Sequence, residues 1–140
     1  MGGVPRKDRR DIGERMKGFI LLAMIFCHIL DDYCLQSHCL AKLKQRQFWK
    51  ENAPQQKYRY DYIMALIMHG LSWTFCVMLP VWIYGFATGD FELFLPVYIA
   101  NAIMHAAVDD LKANRFRINL IQDQLIHMEQ LVVIWLMTVL

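Results

Sequence analysis

Residues 105–127 read HAAVDDLKANRFRINLIQDQLIH, and this stretch decides how the chain is expected to fold. It contains a His-x-x-x-Asp pair, a basic turn, and then an Asp-x-x-x-His pair. Residues four apart lie on one face of an α-helix, about one turn from each other. If the basic turn is tight, two antiparallel helices bring His105 and Asp109 opposite Asp123 and His127. The chain runs in opposite directions in two antiparallel helices. The second pair must therefore have the reverse order of the first, as it does.

Apolar segments alternate with charged stretches along the rest of the chain. Hydrophobic residues make up 56% of the sequence, which is above the usual share for a soluble domain. All fifteen Lys and Arg fall in three stretches, residues 6–17, 42–59 and 112–117, as the loops of a membrane protein do. The apolar runs are residues 18–30, 62–86, 91–108 and 125–140. The first spans a membrane only if its helix continues to about residue 40, and Asp109 and Asp123 are expected to close the third helix and open the fourth.

This pattern predicts an all-α fold, an antiparallel four-helix transmembrane bundle. Residues 18–140 form its single helical membrane domain, and residues 1–17 precede it as a basic interfacial segment. Residues 62–86 are the best candidate for a membrane span. A soluble helical bundle is the alternative, because the other three apolar runs are shorter than about eighteen residues.

In such a bundle, polar residues of all four helices gather at one end. A histidine and a carboxylate one turn apart can bind a cation together, and this ligand type suits zinc, with manganese or iron as alternatives. The predicted metal ligands are His28, Asp32, His105, Asp109, Asp123 and His127. They would hold one metal with supporting partners, or two metals that share carboxylates. A structural polar network is the competing interpretation, since single His/Asp pairs are common on helices.

Three further residues are predicted to act catalytically at the same end. His69 is expected to be a ligand or general base, Gln36 to hold a substrate oxygen, and Lys112 to meet a phosphate or cap its helix. Asp31 is expected on the solvent side or in support of the ligands. Glu129 interrupts an apolar run and is expected to face the bundle interior. The four cysteines form no Cys-x-x-Cys pair and are expected to be buried free thiols.

Four motifs follow one another in this order: HILDDYCLQ (28–36), HG (69–70), HAAVDDLK (105–112) and DQLIH (123–127). Their succession resembles an uncharacterised family of small bacterial and phage membrane proteins, one of the domains of unknown function. That family has the pattern His-x-x-x-Asp-x-x-x-Gln, His-Gly, His-x-x-x-Asp-x-x-Lys, Asp-Gln-x-x-His. The long basic start is a departure, because members tend to begin close to the first helix.

The resemblance implies a multi-helix protein of unassigned activity in a bacterial inner membrane. In style it is also distantly similar to membrane-bound metal-dependent hydrolases with His/Asp motifs on helices. Nine Lys and Arg in the stretches 42–59 and 112–117, against six in residues 6–17, place the site end on the cytoplasmic side by the positive-inside rule.

The predicted function is therefore a metal-dependent, membrane-embedded hydrolase. A bound divalent cation would activate water, and the basic residues would favour an anionic lipid or phosphoester substrate. The alternative is a non-catalytic membrane protein, either a metal or proton conduit or a structural or interaction factor, such as one encoded by a phage. Membrane lipids are expected partners and homo-oligomers are an open option. A net charge of +2 gives no indication of nucleic-acid binding.

Overall fold

Helices account for all the regular secondary structure in the computed structural model, which describes residues 6–140, with side chains described from residue 15. The first five residues of the predicted basic segment lie outside the described residues. The elements follow in this order: α1 Arg6–Ile29, a π-helix Leu30–Leu35, α2 His38–Leu43, α3 Arg46–Asn52, a 3-10 helix Gln56–Tyr58, α4 Asp61–Thr88, α5 Leu95–Ala113 and α6 Leu120–Thr138. The prediction of an all-α fold is confirmed.

The four long helices pack around one hydrophobic core. α4 packs against α1 and α5, and α6 packs against α5 and α1. Residues of α1, α4 and α6 form the centre of the core: Ile20, Met24, Trp73, Val77, Met78, Val81, Leu131 and Ile134. Burial of an aliphatic side chain of this size contributes about 1.5–3 kcal/mol. Apart from Trp73, these residues lie toward the end of the bundle away from the histidines, so one end is apolar and the other polar.

The first long helix ends earlier than expected. α1 stops at Ile29 instead of continuing to about residue 40, because the backbone widens into the π-helix Leu30–Leu35. The Gln36 N–H donates to the Asp31 carbonyl at 2.8 Å, a five-residue hydrogen bond, and the backbone then becomes extended. Single π turns are rare and often occur at functional sites.

The predicted basic connection between the first two long helices contains two short helices. Ser37 caps α2, since its Oγ accepts a hydrogen bond from the Leu40 N–H at 3.1 Å. The indole N–H of Trp49 in α3 donates to the Leu43 carbonyl at 2.8 Å and ties α3 to the end of α2. The described chain therefore has six α-helices where the sequence predicted four.

The connection between α5 and α6 is tight, as predicted. α6 begins with a capping box in which the Asn119 side chain accepts from the Gln122 N–H at 2.9 Å and the Gln122 side chain accepts from the Asn119 N–H at 3.0 Å. This cap starts α6 at Leu120, directly after the proposed connection 113–119 and five residues before the apolar run 125–140. As a result, Asp123 and His127 lie on one continuous helix and share a face.

Two described stretches, Arg15–Leu35 and Gln56–Thr88, are long and apolar enough to cross a membrane. The first includes the apolar run predicted at the start of the bundle, and the second includes the predicted span 62–86. Length and composition are all that this criterion tests.

Gly70 marks the closest approach of α4 to α5 and allows a test of this packing. A Cβ added there would lie 2.5 Å from the Ala102 carbonyl oxygen, and backbone cannot move aside cheaply. We expect Gly70→Ala to lower the free energy of unfolding by about 1–3 kcal/mol through overpacking, measured by chemical denaturation.

Gly18→Ala is the matched control, because a Cβ at Gly18 in α1 has no atom within 4 Å. There, replacing a helical glycine should leave stability unchanged or raise it by up to about 1 kcal/mol. Equal stability of the two variants would contradict the close packing of α4 on α5.

Candidate metal centre

Histidines and aspartates from all four long helices meet at one end of the bundle. Every side chain predicted to bind metal lies in this cluster: His28, Asp32, His105, Asp109, Asp123 and His127. His69 from α4 lies among them, with its Nε2 3.4 Å from Asp32 Oδ1 and 3.7 Å from Asp109 Oδ2. The four histidines of the cluster are at most 2% exposed. The predicted convergence of four helices on one polar layer is thus present in the fold.

Distances within the cluster are too long for hydrogen bonds but match those between ligands of one cation. His127 Nε2 lies 3.6 Å from both Asp109 Oδ1 and Asp123 Oδ1. A tetrahedral metal with bonds of about 2.0–2.2 Å separates its ligand atoms by about 3.3–3.6 Å. Two groups, Asp32 with His69 and His105, and His105 with Asp109 and His127, each place three ligand atoms within 4.8 Å of one another.

Many buried polar atoms of the cluster make no hydrogen bond to any described residue. They are His28 Nε2, Asp31 Oδ2, Asp32 Oδ1, His69 Nε2, both ring nitrogens of His105, Asp123 Oδ1 and His127 Nε2. Each such atom costs about 1–3 kcal/mol when nothing binds it. In a structural hydrogen-bond network, nearly every buried polar atom has a partner. A cluster of carboxylate oxygens and imidazole nitrogens without partners is instead suited to binding a cation.

Hydrogen bonds behind His127 aim one of its lone pairs into the cluster. Gln130 Nε2 donates to Asn101 Oδ1 at 3.2 Å, so its Oε1 faces His127 Nδ1 at 2.9 Å. Because that oxygen can only accept, Nδ1 carries a proton, and in the neutral ring Nε2 keeps a free lone pair. This lone pair points toward two carboxylates, the arrangement that supporting hydrogen bonds create around a metal-binding histidine.

His28 is held in the opposite way. The indole N–H of Trp73 donates to His28 Nδ1 at 2.8 Å, and an indole nitrogen can only donate. The Nδ1 lone pair is therefore used, and the neutral ring carries its proton on Nε2. In this state His28 offers the cluster a hydrogen-bond donor and no lone pair.

Asp31 is buried at 1% exposure, where the sequence left open a solvent-side position. Ser72 Oγ donates to Asp31 Oδ1 at 2.9 Å, and Asp31 Oδ2 lies 3.6 Å from His69 Nδ1. A carboxylate beside Nδ1 favours the proton there and leaves the Nε2 lone pair for the cluster. The π turn is what allows the consecutive residues Asp31 and Asp32 both to face inward.

Two lysines contact carboxylates of the cluster from the loop side. Lys44 Nζ donates to Asp109 Oδ2 at 2.5 Å and to Gln36 Oε1 at 3.0 Å, and it is only 5% exposed. Lys112 donates to Asp123. Gln36 thus contacts the cluster through Lys44, and Lys112 pairs with a carboxylate, which the sequence did not anticipate.

Nothing in the sequence indicated that Lys44 is part of the site. It is one of six basic residues in the stretch 42–59, and no local pattern distinguishes it from the others. Lys44 is buried because the chain leaves the helical path after the π turn. As a result, the C-cap of α2, which is Lys44, lies next to Asp109.

Other expectations need correction. Glu129 is exposed on the outside of α6, because the next residue, Gln130, takes the inward position. The four cysteines are free, but none is fully buried, and Cys34 and Cys39 are exposed. His38 is exposed on α2 and takes no part in the cluster.

Fold and site together define a helical protein whose polar end encloses a buried cluster of imidazoles and carboxylates. The chain belongs to the family described as "Protein of unknown function (DUF3307)", which residues 20–140 match. No curated protein and no solved structure matched the chain. The predicted membership of an uncharacterised family is confirmed, and the similarity to membrane-bound hydrolases stays a prediction.

The buried ion pair of Lys44 with Asp109 allows a direct test of the site's electrostatics. Lys44→Met would leave a buried carboxylate without its cationic partner. We expect it to lower the free energy of unfolding in the presence of a chelator by about 3 kcal/mol, measured by chemical denaturation.

Lys42→Met is the control, because Lys42 lies in the last turn of α2, two residues before Lys44, and is exposed. Its effect should stay within about 0.5 kcal/mol. A similar small effect for both variants would show that Lys44 is not buried against Asp109.

Proposed function

We propose that the protein is a metal-dependent hydrolase embedded in a bacterial inner membrane and acting on an anionic lipid or phosphoester. The observation that carries the proposal is the convergence of buried carboxylate oxygens and imidazole nitrogens, many of which make no hydrogen bond to any described residue. The clearest example joins His127 Nε2 to Asp109 Oδ1 and Asp123 Oδ1, at 3.6 Å each.

The charge of the cluster supports a divalent cation. Four carboxylates lie in or against it: Asp31, Asp32, Asp109 and Asp123. Lys44 and Lys112 are the two lysines paired with them. With neutral histidines, an excess of two negative charges is left in a buried place, which is costly unless the charges are compensated. One divalent cation supplies the two missing positive charges.

The proposed ligands are Asp32, His69, His105, Asp109, Asp123 and His127. This mixed nitrogen and oxygen set suits zinc, with manganese or iron as alternatives. His28 is placed outside the ligand set and in the role of a hydrogen-bond donor, because Trp73 occupies its Nδ1 lone pair. When bound, the cation would lower the pKa of a water ligand and stabilise developing negative charge.

The lysines give the site its preference for an anionic substrate. Lys112 is 33% exposed and marks the side from which a substrate can approach. An anionic group that enters there would meet its ammonium, and that of Lys44 if Lys44 turns from Asp109, in charge-assisted hydrogen bonds. Gln36 holds Lys44 in place from the other side.

The membrane part of the proposal concerns all four long helices, arranged as an antiparallel transmembrane bundle. α5 and α6 have 19 residues each, a length of about 28 Å, close to the roughly 30 Å of a bilayer core. Large apolar side chains are exposed along the outside of the bundle, among them Phe19, Leu22, Phe26, Met64, Met68, Ile83, Ile103, Leu125 and Met137. Apolar exposure on this scale is rare in soluble monomers. The basic stretches beside the cluster favour a cytoplasmic site end.

Two features argue against the non-catalytic alternatives. A conduit needs polar groups along its length, but the chain of hydrogen bonds from His127 through Gln130 and Asn101 ends at Thr74. The hydrophobic core fills the bundle beyond it. A purely structural network would satisfy its own members, whereas this cluster leaves buried atoms unpaired.

Metal content and hydrolysis test the proposal together. We expect purified protein to contain zinc, manganese or iron by elemental analysis, and to hydrolyse bis(p-nitrophenyl) phosphate or phosphatidylglycerol vesicles. Chelation should remove the activity and metal should restore it. His105→Ala should lose both metal and activity, while His38→Ala, at the exposed histidine, should keep both. Full activity after complete removal of metal would refute the proposal.

The membrane arrangement has its own test. The protein should stay in the membrane fraction after a carbonate wash. In intact spheroplasts, an impermeant maleimide should label a variant whose only cysteine is Ala87→Cys, at a position exposed at the far end of α4. In a second variant that retains only Cys39, exposed beside the cluster end, the thiol should react only after permeabilisation. Release of the protein by carbonate, or labelling of both positions from one side, would contradict the arrangement.

A further inference from the structure

Asp109 lies at the centre of the cluster, and its two oxygens face different histidines. Oδ1 is 3.6 Å from His127 Nε2, whereas Oδ2 is 3.7 Å from His69 Nε2 and 3.9 Å from His105 Nε2. The side chain is 3% exposed. One carboxylate therefore connects two sets of imidazole nitrogens.

The ligand atoms of the described cluster fall into two overlapping groups. The three-residue groups that share His105 each place their ligand atoms within 4.8 Å, but they do not merge into one group. Asp32 and His69 belong to one group only, and Asp109 and His127 to the other. Ligand atoms of one cation with bonds of about 2.2 Å are at most about 4.4 Å apart, so one ion cannot be held by all of them.

We infer that the cluster binds two divalent cations, bridged by the carboxylate of Asp109. The first is held by Asp32, His69 and His105, with Asp109 Oδ2 3.7 Å from His69 Nε2. The second is held by Asp109 Oδ1 and His127, with Asp123 Oδ1 3.6 Å from His127 Nε2. This inference rests on the metal binding of the proposed function and adds the number of ions and their arrangement.

The surroundings of each set fit this division. Behind His127, Gln130 Oε1 lies 2.9 Å from Nδ1, and behind His69 the Asp31 carboxylate lies 3.6 Å from Nδ1, so each set has a histidine with an acceptor on its outer side. His105 adds a nitrogen to the first set. Its ring contacts both Trp73, at 4.3 Å between ring centroids, and His127, at 4.1 Å, and these contacts restrain its orientation.

Two cations narrow the substrate class to phosphoesters. Two divalent ions and two lysines against four carboxylates leave an excess of about two positive charges, which a phosphoester and an ionised water would offset.

Paired cations about 3.5–4 Å apart stabilise both the attacking and the leaving oxygen of an in-line displacement at phosphorus. In this reaction the oxygen of water bonds to phosphorus and the ester P–O bond breaks. One proton of the water ends on the released alcohol, and the other stays with the phosphate product or passes to solvent.

The number of bound ions tests the inference. Full-length protein in detergent, freed of metal by chelation, is saturated with Co²⁺, separated from unbound ion and analysed for cobalt and protein. We expect two equivalents per chain for the wild type and for His38→Ala. His69→Ala and His127→Ala should each retain one, because each removes a ligand of only one ion. Circular dichroism shows whether each variant is folded.

The wild-type count decides the matter even if a variant fails to fold. One equivalent, or none, at saturation would overturn the inference. If the one-metal protein still hydrolysed phosphoesters, the proposed function would stand without the second ion. Two equivalents without hydrolysis of any phosphoester would support the two-ion site and count against the hydrolase.

Discussion

The structure depends on keeping four carboxylates at the polar end of an otherwise apolar helical bundle. Burying a charged group costs a large free energy of desolvation, and folded proteins tolerate it only when the charge is compensated. Lys44 and Lys112 compensate part of it by direct contact. The rest of the compensation falls to the histidines and, in our proposal, to divalent cations between them.

This constraint explains the irregular backbone that follows α1 at the polar end. The π turn Leu30–Leu35 brings two consecutive aspartates inward, and the break after it lays α2 across the bundle so that Lys44 reaches Asp109. The four histidines of the cluster lie on the regular α-helices α1, α4, α5 and α6, which fix their positions relative to the aspartates of the same helix. A site that has to place ligands accurately gains from such a support, because displacement of a catalytic group by about 1 Å has a large effect on rate.

Hydrogen bonds around the histidines assign them different roles, although all four are buried to the same degree. Trp73 donates to His28, and Gln130 accepts from His127. The first ring is therefore left with an N–H and the second with a lone pair toward the carboxylates. Burial and residue type alone would have treated these two histidines as equivalent.

The sequence by itself determined the helical class, the family, and the residues of the cluster. A spacing of four fixes the relation of His105 to Asp109 and of Asp123 to His127, because it depends only on the pitch of a helix. The tertiary structure decided the π turn, the burial of Lys44, the outward position of Glu129 and the division of the ligands into two groups. These depend on contacts such as Lys44 with Asp109, 65 residues apart, and Trp73 with His28, 45 apart. Side chains so distant in the chain meet only through helix packing, which no local spacing encodes.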